Sequence, residues 1–315
     1  MNVDALSVDR AAARSTTRRA AAVADGGVKG DGGLVLVIGG SRAYTAPPFL
    51  AALAALRTGV HGVRIAAPRG PAAAHVVLEP HLIEVPGSEL DAASVHTVAE
   101  LSARIGERLV SDGARGRVVW LVGPGLGGSP QADEVLDALD DARRQDRSAA
   151  LVVDGSLGGG PAARRRIRAL GADLVLLNRH EARALLPGGR PPGRDLALDT
   201  STLAALARET GAVVVAKGDV DWITDGARAW QVPAGHPALA RHGTGDVLAG
   251  VAAGLLAQRL PAPDAAALAC HLVGAAGTAL AAEAGPGWLS QDLLGAVATA
   301  LRDLLTPTGA PQRPA

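Results

Sequence analysis

Four consecutive residues, Gly243, Thr244, Gly245 and Asp246, combine a flexible turn with a carboxylate at the start of an apolar, helix-forming run. The free backbone N–H groups and the positive dipole end at such a helix start bind anions. A carboxylate beside a bound phosphate can accept the proton of a substrate hydroxyl. The stretch is therefore typical of phosphoryl transfer with Asp246 as base, although a carboxylate that only favours the helix dipole would look the same.

Lys217 is one of only two lysines among the 31 basic residues, the other being Lys29. It follows the apolar run Val213–Ala216, and ligands of open α/β sheets bind at the carboxyl ends of the strands. The lysine ammonium is a compact point charge that arginine does not reproduce, so a lysine kept in an arginine-rich sequence indicates a specific use. We predict that Lys217 contacts a nucleotide phosphate; the alternative is an exposed turn lysine.

Asn178 and Glu181 follow the apolar run Leu174–Leu177 and stand one helical turn apart. They could hold a hydrated Mg²⁺ near phosphates, because this ion keeps several waters and takes one or two carboxylate ligands. The same spacing is that of a helix capping box, with Asn178 as the N-cap and Glu181 at the third helical position. Both interpretations could hold at once, so the sequence leaves both open.

The segment at 123–128, Gly-Pro-Gly-Leu-Gly-Gly, follows another apolar run and fits the G-x-G-x-x-G pattern of dinucleotide-binding loops, with Asp154 at the end of the next run. Pro124 has no N–H to offer a pyrophosphate, and the next predicted helix begins only after the glycines. A Rossmann site is therefore the less favoured interpretation. The loop from Ser41 to Tyr44 has the small residues that also allow a close approach to a ligand.

A mostly parallel sheet is the scaffold that the sequence predicts for these loops. From Leu34 onward, short Val/Leu/Ile runs alternate with longer Ala/Leu/Arg segments, which is typical of βαβ units. The predicted strands are Leu34–Ile38, Val63–Ala66, Val118–Val122, Leu151–Val153, Leu174–Leu177, Val213–Ala216, and a hairpin of Trp222–Thr224 with Ala229–Val232. The predicted helices are Pro47–Arg57, Ala92–Leu109, Ala132–Arg144, Arg179–Leu186, Thr202–Arg208, Asp246–Gln258, Ala265–Ala282 and Gln291–Leu305.

The composition excludes several classes of protein. Lys plus Arg equal Asp plus Glu at 31 each, and the aromatic residues are four Trp, one Tyr and one Phe, so neither a basic footprint nor base-stacking platforms for nucleic acid are available. The single Cys270 excludes a disulfide framework, and the histidines lack metal-ligand spacing. The apolar run Val247–Ala257 is too short to cross a bilayer. We expect a cytoplasmic protein without a nucleic-acid or membrane partner.

The ends of the chain differ from its middle. Residues 1–30 are rich in Ala, Arg, Ser, Thr and Gly, and we expect a disordered N-terminal tail there. Acidic residues such as Asp4 and Asp9 argue against a transit peptide. We predict one α/β domain over residues 31–306 and a disordered C-terminal tail over 307–315.

Taken in order, these motifs resemble those of the ADP/ATP-dependent NAD(P)H-hydrate dehydratases in the ribokinase-like superfamily. Lys29–Ser41 resembles the family's "KGD.G.vLviGGS", Val122–Gly127 its "iGPGLG", and Val215–Gly218 its "vvlKG". Asp154 matches the first Asp of "DaDaL", and Gly235–Gly250 resembles "GNPGMAtgGTGDvLaG", the most specific stretch. The likeness runs from Lys29 to Leu305.

The resemblance implies a ribokinase-like three-layer α/β/α sandwich and a reaction in two steps. ADP or ATP phosphorylates the C6 hydroxyl of hydrated NADH or NADPH in the presence of Mg²⁺, and loss of phosphate then restores the reduced nicotinamide. In this chain Asp246 would be the base, and Lys217, Gly243, Thr244 and Gly245 would surround the phosphate. The residues implied near the hydrate are Ser41, Tyr44, Gly123, Gly125, Gly127, Asp154 and His180.

Three departures from the family pattern lie on the substrate side. Ser156 replaces the second Asp of "DaDaL", His236 replaces the Asn of "GNPGMA", and "tPHPGE" ends here as Asn178-Arg179-His180-Glu181. The Asn178/Glu181 pair is closer to the N-x-x-E of ribokinase-like kinases, which keeps a kinase of a small hydroxylated metabolite as an alternative. A catalytically idle nucleotide-binding relative is the third. In each case we expect a homo-oligomer.

Overall fold

The structure, a computed structural model, describes residues 5–7, 12–17, 30–68, 81–83, 90–127, 132–155, 157–158, 160–186 and 200–306. In these ranges the chain forms ten strands and, besides a helical segment at 12–17, nine α-helices. The strands β1 to β10 are Ala5–Ser7, Leu34–Ile38, Gly62–Ala66, His81–Ile83, Val118–Val122, Ala150–Asp154, Leu174–Leu177, Val213–Ala216, Asp221–Thr224 and Ala229–Val232. The helices α1 to α9 are Pro47–Leu56, Ala92–Ser111, Ala132–Gln145, Gly160–Leu170, Arg179–Leu185, Thr200–Thr210, Thr244–Ala257, Ala262–Ala284 and Asp292–Leu305.

All ten strands belong to one sheet, in the order β1-β10-β9-β8-β7-β6-β5-β2-β3-β4. Strands β2 to β8 are parallel to their neighbours within that run, and β9 is antiparallel to both β8 and β10. The predicted mostly parallel sheet and the hairpin between β9 and β10 are therefore confirmed. The carboxyl ends of β5, β6, β7 and β8 consequently lie side by side at one edge.

Alternate residues of each central strand enter two different cores. Val35, Val37 and Leu121 face one core with α1, α7 and α8, whereas Leu36 and Trp120 face the other with α2, α3 and α4. Both faces of the sheet are covered by helices, which explains why its strands are nearly continuous apolar runs. This is the three-layer α/β/α sandwich that the resemblance implied.

Helix α8 and the turn after it, Ala262–Gly287, have the length and apolar composition of a membrane span. Of the most apolar part, 61% is buried inside the protein. The helix packs against α7 and α9 and lies on β9, so its composition is explained by its place in the core.

Strands β1 and β4 and helix α4 are absent from the predicted elements, and the disorder predicted for the tail is wrong in two places. Helix α4 buries Ala163, Ile167 and Leu170 at helical spacing, but the arginines between them make the segment polar overall. In the tail, β1 pairs with the edge strand β10, and Ala13 is 1% exposed in the core. The predicted disorder does not hold for residues 5–7 and 12–17, because an open sheet edge and an apolar cluster supply their partners. The rest of that segment and residues 307–315 lie outside the described residues.

Helices α7 and α1 pack at a distance that only glycine allows. A Cβ added at Gly250 would lie 2.0 Å from the carbonyl oxygen of Ala51, whereas one added at Gly106 in α2 would meet no atom within 4 Å.

We predict that Gly250→Ala lowers the free energy of unfolding by about 2–3 kcal/mol, because the helices must separate. The control Gly106→Ala should raise it by about 0.5–1 kcal/mol through helix propensity alone. Urea unfolding followed by circular dichroism measures both. Equal effects of the two substitutions would contradict the packing argument.

Candidate active site

Three predicted site residues meet at the carboxyl edge of the sheet. Asp154 is the last residue of β6, Asn178 follows β7, and Lys217 follows β8. These strands are adjacent and parallel, so their carboxyl ends bring the three side chains to one place. This is the edge at which open α/β sheets bind ligands.

Lys217 and Asp154 form an ion pair at this edge. The ammonium Nζ donates a hydrogen bond to Oδ1 of Asp154 over 3.1 Å, and the two side chains are only 19% and 13% exposed. A Cβ added at Gly245 would lie 3.3 Å from the same Nζ, so the ammonium rests against the start of α7. The alternative of an exposed turn lysine is therefore wrong, and Lys217 lies beside the glycine turn.

The glycine turn ends in α7, which starts at Thr244, two residues earlier than the sequence indicated. Gly243 is its N-cap with φ of 92°, in the left-handed region that favours glycine. The hydroxyl of Thr244 donates to the carbonyl oxygens of Leu239 and Arg241 at 2.8 and 2.9 Å and so serves the turn itself. The first helical bond runs from Val247 N–H to Gly243 O, which leaves the N–H groups of Thr244 and Gly245 at the open helix end.

Asp246 stands in the first turn of α7. Burial, together with the carboxylate of Asp154, raises the pKa of Asp246 to about 7, while the positive charge of Lys217 opposes the shift. A carboxyl group that titrates near neutral pH can take up and release a proton under working conditions. A carboxylate that only favoured a helix dipole would not need to be partly buried near another carboxylate, so this environment favours the base.

Lys217 is charged at neutral pH. Burial alone would lower its pKa, but the carboxylates of Asp154, Glu181 and Asp246 outweigh it and raise the pKa above the ordinary lysine value. One ammonium thus faces three carboxyl groups. A transferred phosphoryl group would find a fixed positive charge here, next to the N–H groups of the helix end.

Asn178 and Glu181 form the capping box that one interpretation predicted. Oδ1 of Asn178 accepts hydrogen bonds from the N–H groups of His180 and Glu181, both at 2.9 Å, and Oε2 of Glu181 accepts one from Asn178 N–H at 2.8 Å. The other oxygen, Oε1, lies 3.7 Å from a Cβ added at Gly155 and faces the loop after β6. The part of the chain that the structure describes holds no group of three or more His, Cys, Asp or Glu arranged for a metal.

The residues predicted on the substrate side lie in the loops after β2 and β5, at the end of β6 and at the start of α5. Ser41 is buried and its Oγ accepts the N–H of Tyr44 at 3.2 Å, whereas the Tyr44 ring is 56% exposed. A Cβ added at Gly123 would lie 2.0 Å from the carbonyl oxygen of Asp154, so this glycine lets the loops after β5 and β6 pack together. His180 is exposed at the start of α5.

The glycines of 123–127 lie in a turn that follows β5, and the first described residue of α3 is Ala132. They are not in the opening turn of a helix, where a Rossmann loop would hold a pyrophosphate, so the structure disfavours that interpretation. Gly125 packs on the carbonyl of Tyr44, and Gly127 meets no atom within 4 Å of an added Cβ. Of the departures, His236 caps a 3-10 turn by accepting the N–H of Ala238 at its Nδ1, whereas Ser156, like Lys29, lies outside the described residues.

Two further residues hold the site, and the sequence analysis did not find them. Arg241 places its guanidinium 4.2 Å from the ring centre of Trp288 and donates to the carbonyl oxygens of Trp288 and Ala238, which ties the glycine turn to the loop before α9. Asp221 is buried at the start of β9. A charged residue at the edge of an apolar strand was the available signal.

Comparison with known proteins agrees with this geometry. The family described as NAD(P)H-hydrate dehydratase matches residues 35–298. The bifunctional NAD(P)H-hydrate repair enzyme Nnr of Pyrobaculum aerophilum is 36% identical over 268 residues, which cover 84% of this chain and 50% of the archaeal protein. This chain thus spans about half the length of that relative.

A second relative is matched over most of its length. The ADP-dependent (S)-NAD(P)H-hydrate dehydratase of Natrialba magadii is 32% identical over 278 residues, 86% of this chain and 93% of its own. Among solved structures, the ADP/ATP-dependent NAD(P)H-hydrate dehydratase of Bacillus subtilis, co-crystallised with ATP/Mg²⁺, superposes with a TM-score of 0.69 at 20% identity and covers 96% of this chain and 99% of that one. At this identity the superposition supports the shared fold.

We predict that the protonation of Asp246 is visible in stability. Between about pH 4, where an unfolded Asp titrates, and pH 7, the folded protein holds the extra proton, so its stability falls as the pH rises. From pH 5.5 to 8.5 the native chain should lose about 2 kcal/mol more than Asp246→Asn, in urea unfolding at each pH. The control Asp219→Asn, whose side chain is 86% exposed, should follow the native chain. Parallel profiles for Asp246→Asn and the native chain would contradict a raised pKa.

Proposed function

Because this chain belongs to the NAD(P)H-hydrate dehydratase family, we propose that it uses ADP or ATP to convert hydrated NADH or NADPH back to the reduced nicotinamide. The observation that carries the proposal is the partly buried carboxyl group of Asp246, with its raised pKa, at the start of α7 and near the charged ammonium of Lys217. This pair supplies a proton acceptor and a phosphate contact at one point.

In the first step Asp246 accepts the proton of the hydrate's C6 hydroxyl. The hydroxyl oxygen forms a bond to the terminal phosphorus of the nucleotide, and the bond to the leaving phosphate oxygen breaks with its electron pair. The Lys217 ammonium and the N–H groups of Thr244 and Gly245 face the place where the negative charge is concentrated. Such donors stabilise a transferred phosphoryl group without reorganisation, because the helix start and the ion pair hold them in advance.

In the second step the C–O bond breaks and inorganic phosphate leaves. Dehydration also removes a proton from the neighbouring carbon, which completes the ring double bond and restores the reduced nicotinamide. The negative charge of the leaving phosphate is stabilised by the same donors that contact the phosphoryl group in the first step, Lys217 and the N–H groups at the start of α7. A phosphate contact used in both steps explains why the ammonium is buried and held on one side by Asp154.

Mg²⁺ fits this site only in part. The side-chain oxygen of Asn178 is used in the helix cap, so Glu181, through Oε1, and Asp154 remain as the oxygens of the described site that face the phosphate. Mg²⁺ binds in this way, through one or two carboxylates, nucleotide phosphates and water, and when bound it neutralises phosphate charge. We propose Glu181, and not Asn178, as the residue that would hold the ion through water.

The hydrate is assigned to the residues predicted on the substrate side. These are Ser41, Tyr44, His180 and the glycine loop at 123–127, and the exposed ring of Tyr44 is available to a nicotinamide or adenine ring. A cytoplasmic homo-oligomer that acts on small molecules, and not on nucleic acid or a membrane, is part of the same proposal.

The direct test is recovery of NADH absorbance at 340 nm from purified hydrate with ADP or ATP and Mg²⁺. We expect recovery with release of one inorganic phosphate for each NADH. Asp246→Asn should lower kcat by about 100-fold or more while the nucleotide affinity, measured by calorimetry, stays within about threefold, because the amide cannot take the proton.

The alternatives give different results in the same assay. A kinase would consume nucleotide without releasing inorganic phosphate and would leave a stable phosphorylated product. An idle relative would bind nucleotide and do neither. Absence of NADH recovery with both nucleotides, in a protein that binds them, would overturn the proposed function.

We also predict that Lys217→Arg lowers kcat/KM for the nucleotide by about tenfold or more, although the positive charge is kept. The planar guanidinium is larger than the ammonium and cannot occupy the space between Asp154 and Gly245, where Nζ is 3.1 Å from the carboxylate and 3.3 Å from an added Cβ. Kinetics at saturating hydrate measure the effect. The control Arg179→Lys changes a half-exposed cation in the same region and should have little effect; unchanged kinetics for Lys217→Arg would make the lysine incidental.

A further inference from the structure

A buried carboxyl group is hydrogen-bonded to the turn that carries Lys217 and takes no part in the proposed chemistry. Asp221 begins β9, four residues after Lys217, and is 9% exposed. Its Oδ1 accepts the N–H of Gly218 at 2.9 Å. Burying a carboxylate is costly unless hydrogen bonds compensate it, so a buried Asp at a strand start, where an apolar residue would fit, indicates a specific use.

Cys270 is the neighbour of Asp221 in the core. Its thiol, in the middle of α8, is 1% exposed, and burial together with the charge of Asp221 raises the pKa of the thiol well above its usual value. Cys270 is the only cysteine of the chain. Asp221 thus lies between the turn after β8 and a helix that is packed into the apolar core.

The turn that carries Lys217 is held from several directions. The N–H of Lys217 itself donates to Leu177 O at 2.7 Å, and that of Gly218 to Asp221. Across the turn, a Cβ added at Gly235 would lie 2.5 Å from the carbonyl oxygen of Asp219, so the chain after β10 closes over it. The exposed side chain of Asp219 also pairs with Arg179 at 3.3 Å, but the side chain of Asp221 is the one that accepts the Gly218 N–H and so fixes the peptide group that immediately follows Lys217.

The charges around the ammonium make such an anchor necessary. Asp154 lies on β6, Glu181 on α5 and Asp246 on α7, and all three attract the Lys217 ammonium. A flexible lysine could lean toward any of them. Asp221 is a fourth carboxyl group near the ammonium: burial raises its pKa, and the charge of Lys217 opposes that shift.

We propose that Asp221, through its hydrogen bond from Gly218 N–H, is a positioning residue that fixes the Lys217–Gly218 turn and so keeps the ammonium between Asp154 and the start of α7. Asp221 touches neither the nucleotide nor the hydrate and acts only through Lys217. As far as catalysis is concerned, the proposal rests on the proposed function. The position of the ammonium itself can be tested without the reaction.

Two substitutions at Asp221 separate its hydrogen bond from its charge. Asp221→Asn keeps an oxygen that accepts the Gly218 N–H, whereas Asp221→Val removes the acceptor and fills the space with a residue suited to a strand. We expect Asp221→Val to lower kcat/KM for the nucleotide by about 10- to 100-fold, as misplaced groups do, and Asp221→Asn to keep it within about threefold. Asp219→Val, in the same turn with an exposed side chain, is the matched control and should change little.

A second readout is independent of catalysis and of folding yield. The positive charge of Lys217 lowers the pKa of Asp246. If the ammonium moves away, the pH midpoint of the Asp246 titration must therefore rise, by about one pH unit. That midpoint is read from the pH dependence of unfolding, measured relative to the same variant carrying Asp246→Asn. Removal of the Asp221 charge by itself cannot raise the pKa of another carboxyl group, so an upward shift reports displacement of Lys217.

The expected pattern is an upward shift in Asp221→Val and none in Asp221→Asn. Lower stability in Asp221→Val with both the midpoint and kcat/KM unchanged would overturn the proposal and leave Asp221 a structural residue. If the native chain does not dehydrate the hydrate, the proposed function fails, and the midpoint still decides whether Asp221 positions Lys217.

Discussion

The ion pair between Lys217 and Asp154 is the interaction on which the site depends. It joins the ends of two strands that are separated in the sheet by β7, and it holds a charged ammonium against the start of α7. A partly buried pair of this kind is stable only where further polar groups satisfy both partners. Glu181 and Asp246 supply that environment for the lysine, and the parallel order of the strands brings them within reach.

The same arrangement explains the properties of Asp246. A carboxyl group placed beside another carboxylate and away from water prefers its proton, and the neighbouring ammonium limits how far this preference goes. The glycine turn, the tie between Arg241 and Trp288, and the close packing of α7 on α1 then fix where α7 begins. The core packing of α7 therefore also sets the position of Asp246 in its first turn, because this helix is buried along nearly its whole length.

Much of the fold could be predicted from the sequence. The central strands β2, β5, β7 and β8 have the predicted bounds, and the hairpin of β9 and β10 follows from two apolar runs around Asp225-Gly226. Continuous apolar runs fix such strands because both faces of the sheet are buried. Helix α4 was missed because the arginines between its buried residues Ala163, Ile167 and Leu170 make the segment polar overall. The edge strands β1 and β4 were missed because each has only three residues.

For the site, the sequence by itself determined which residues stand at strand ends and helix starts: Lys217, Asp154, and the turn from Gly243 to Asp246. The family motifs placed the same residues together. Only the tertiary structure decided between interpretations that share one sequence. It made Asn178 a helix cap, gave Asp246 a raised pKa, and bound the carboxyl group of Asp221 to the N–H of Gly218, next to Lys217. The reason is physical: spacing along a chain fixes local geometry, whereas burial and charge depend on groups that come close only when the sheet forms.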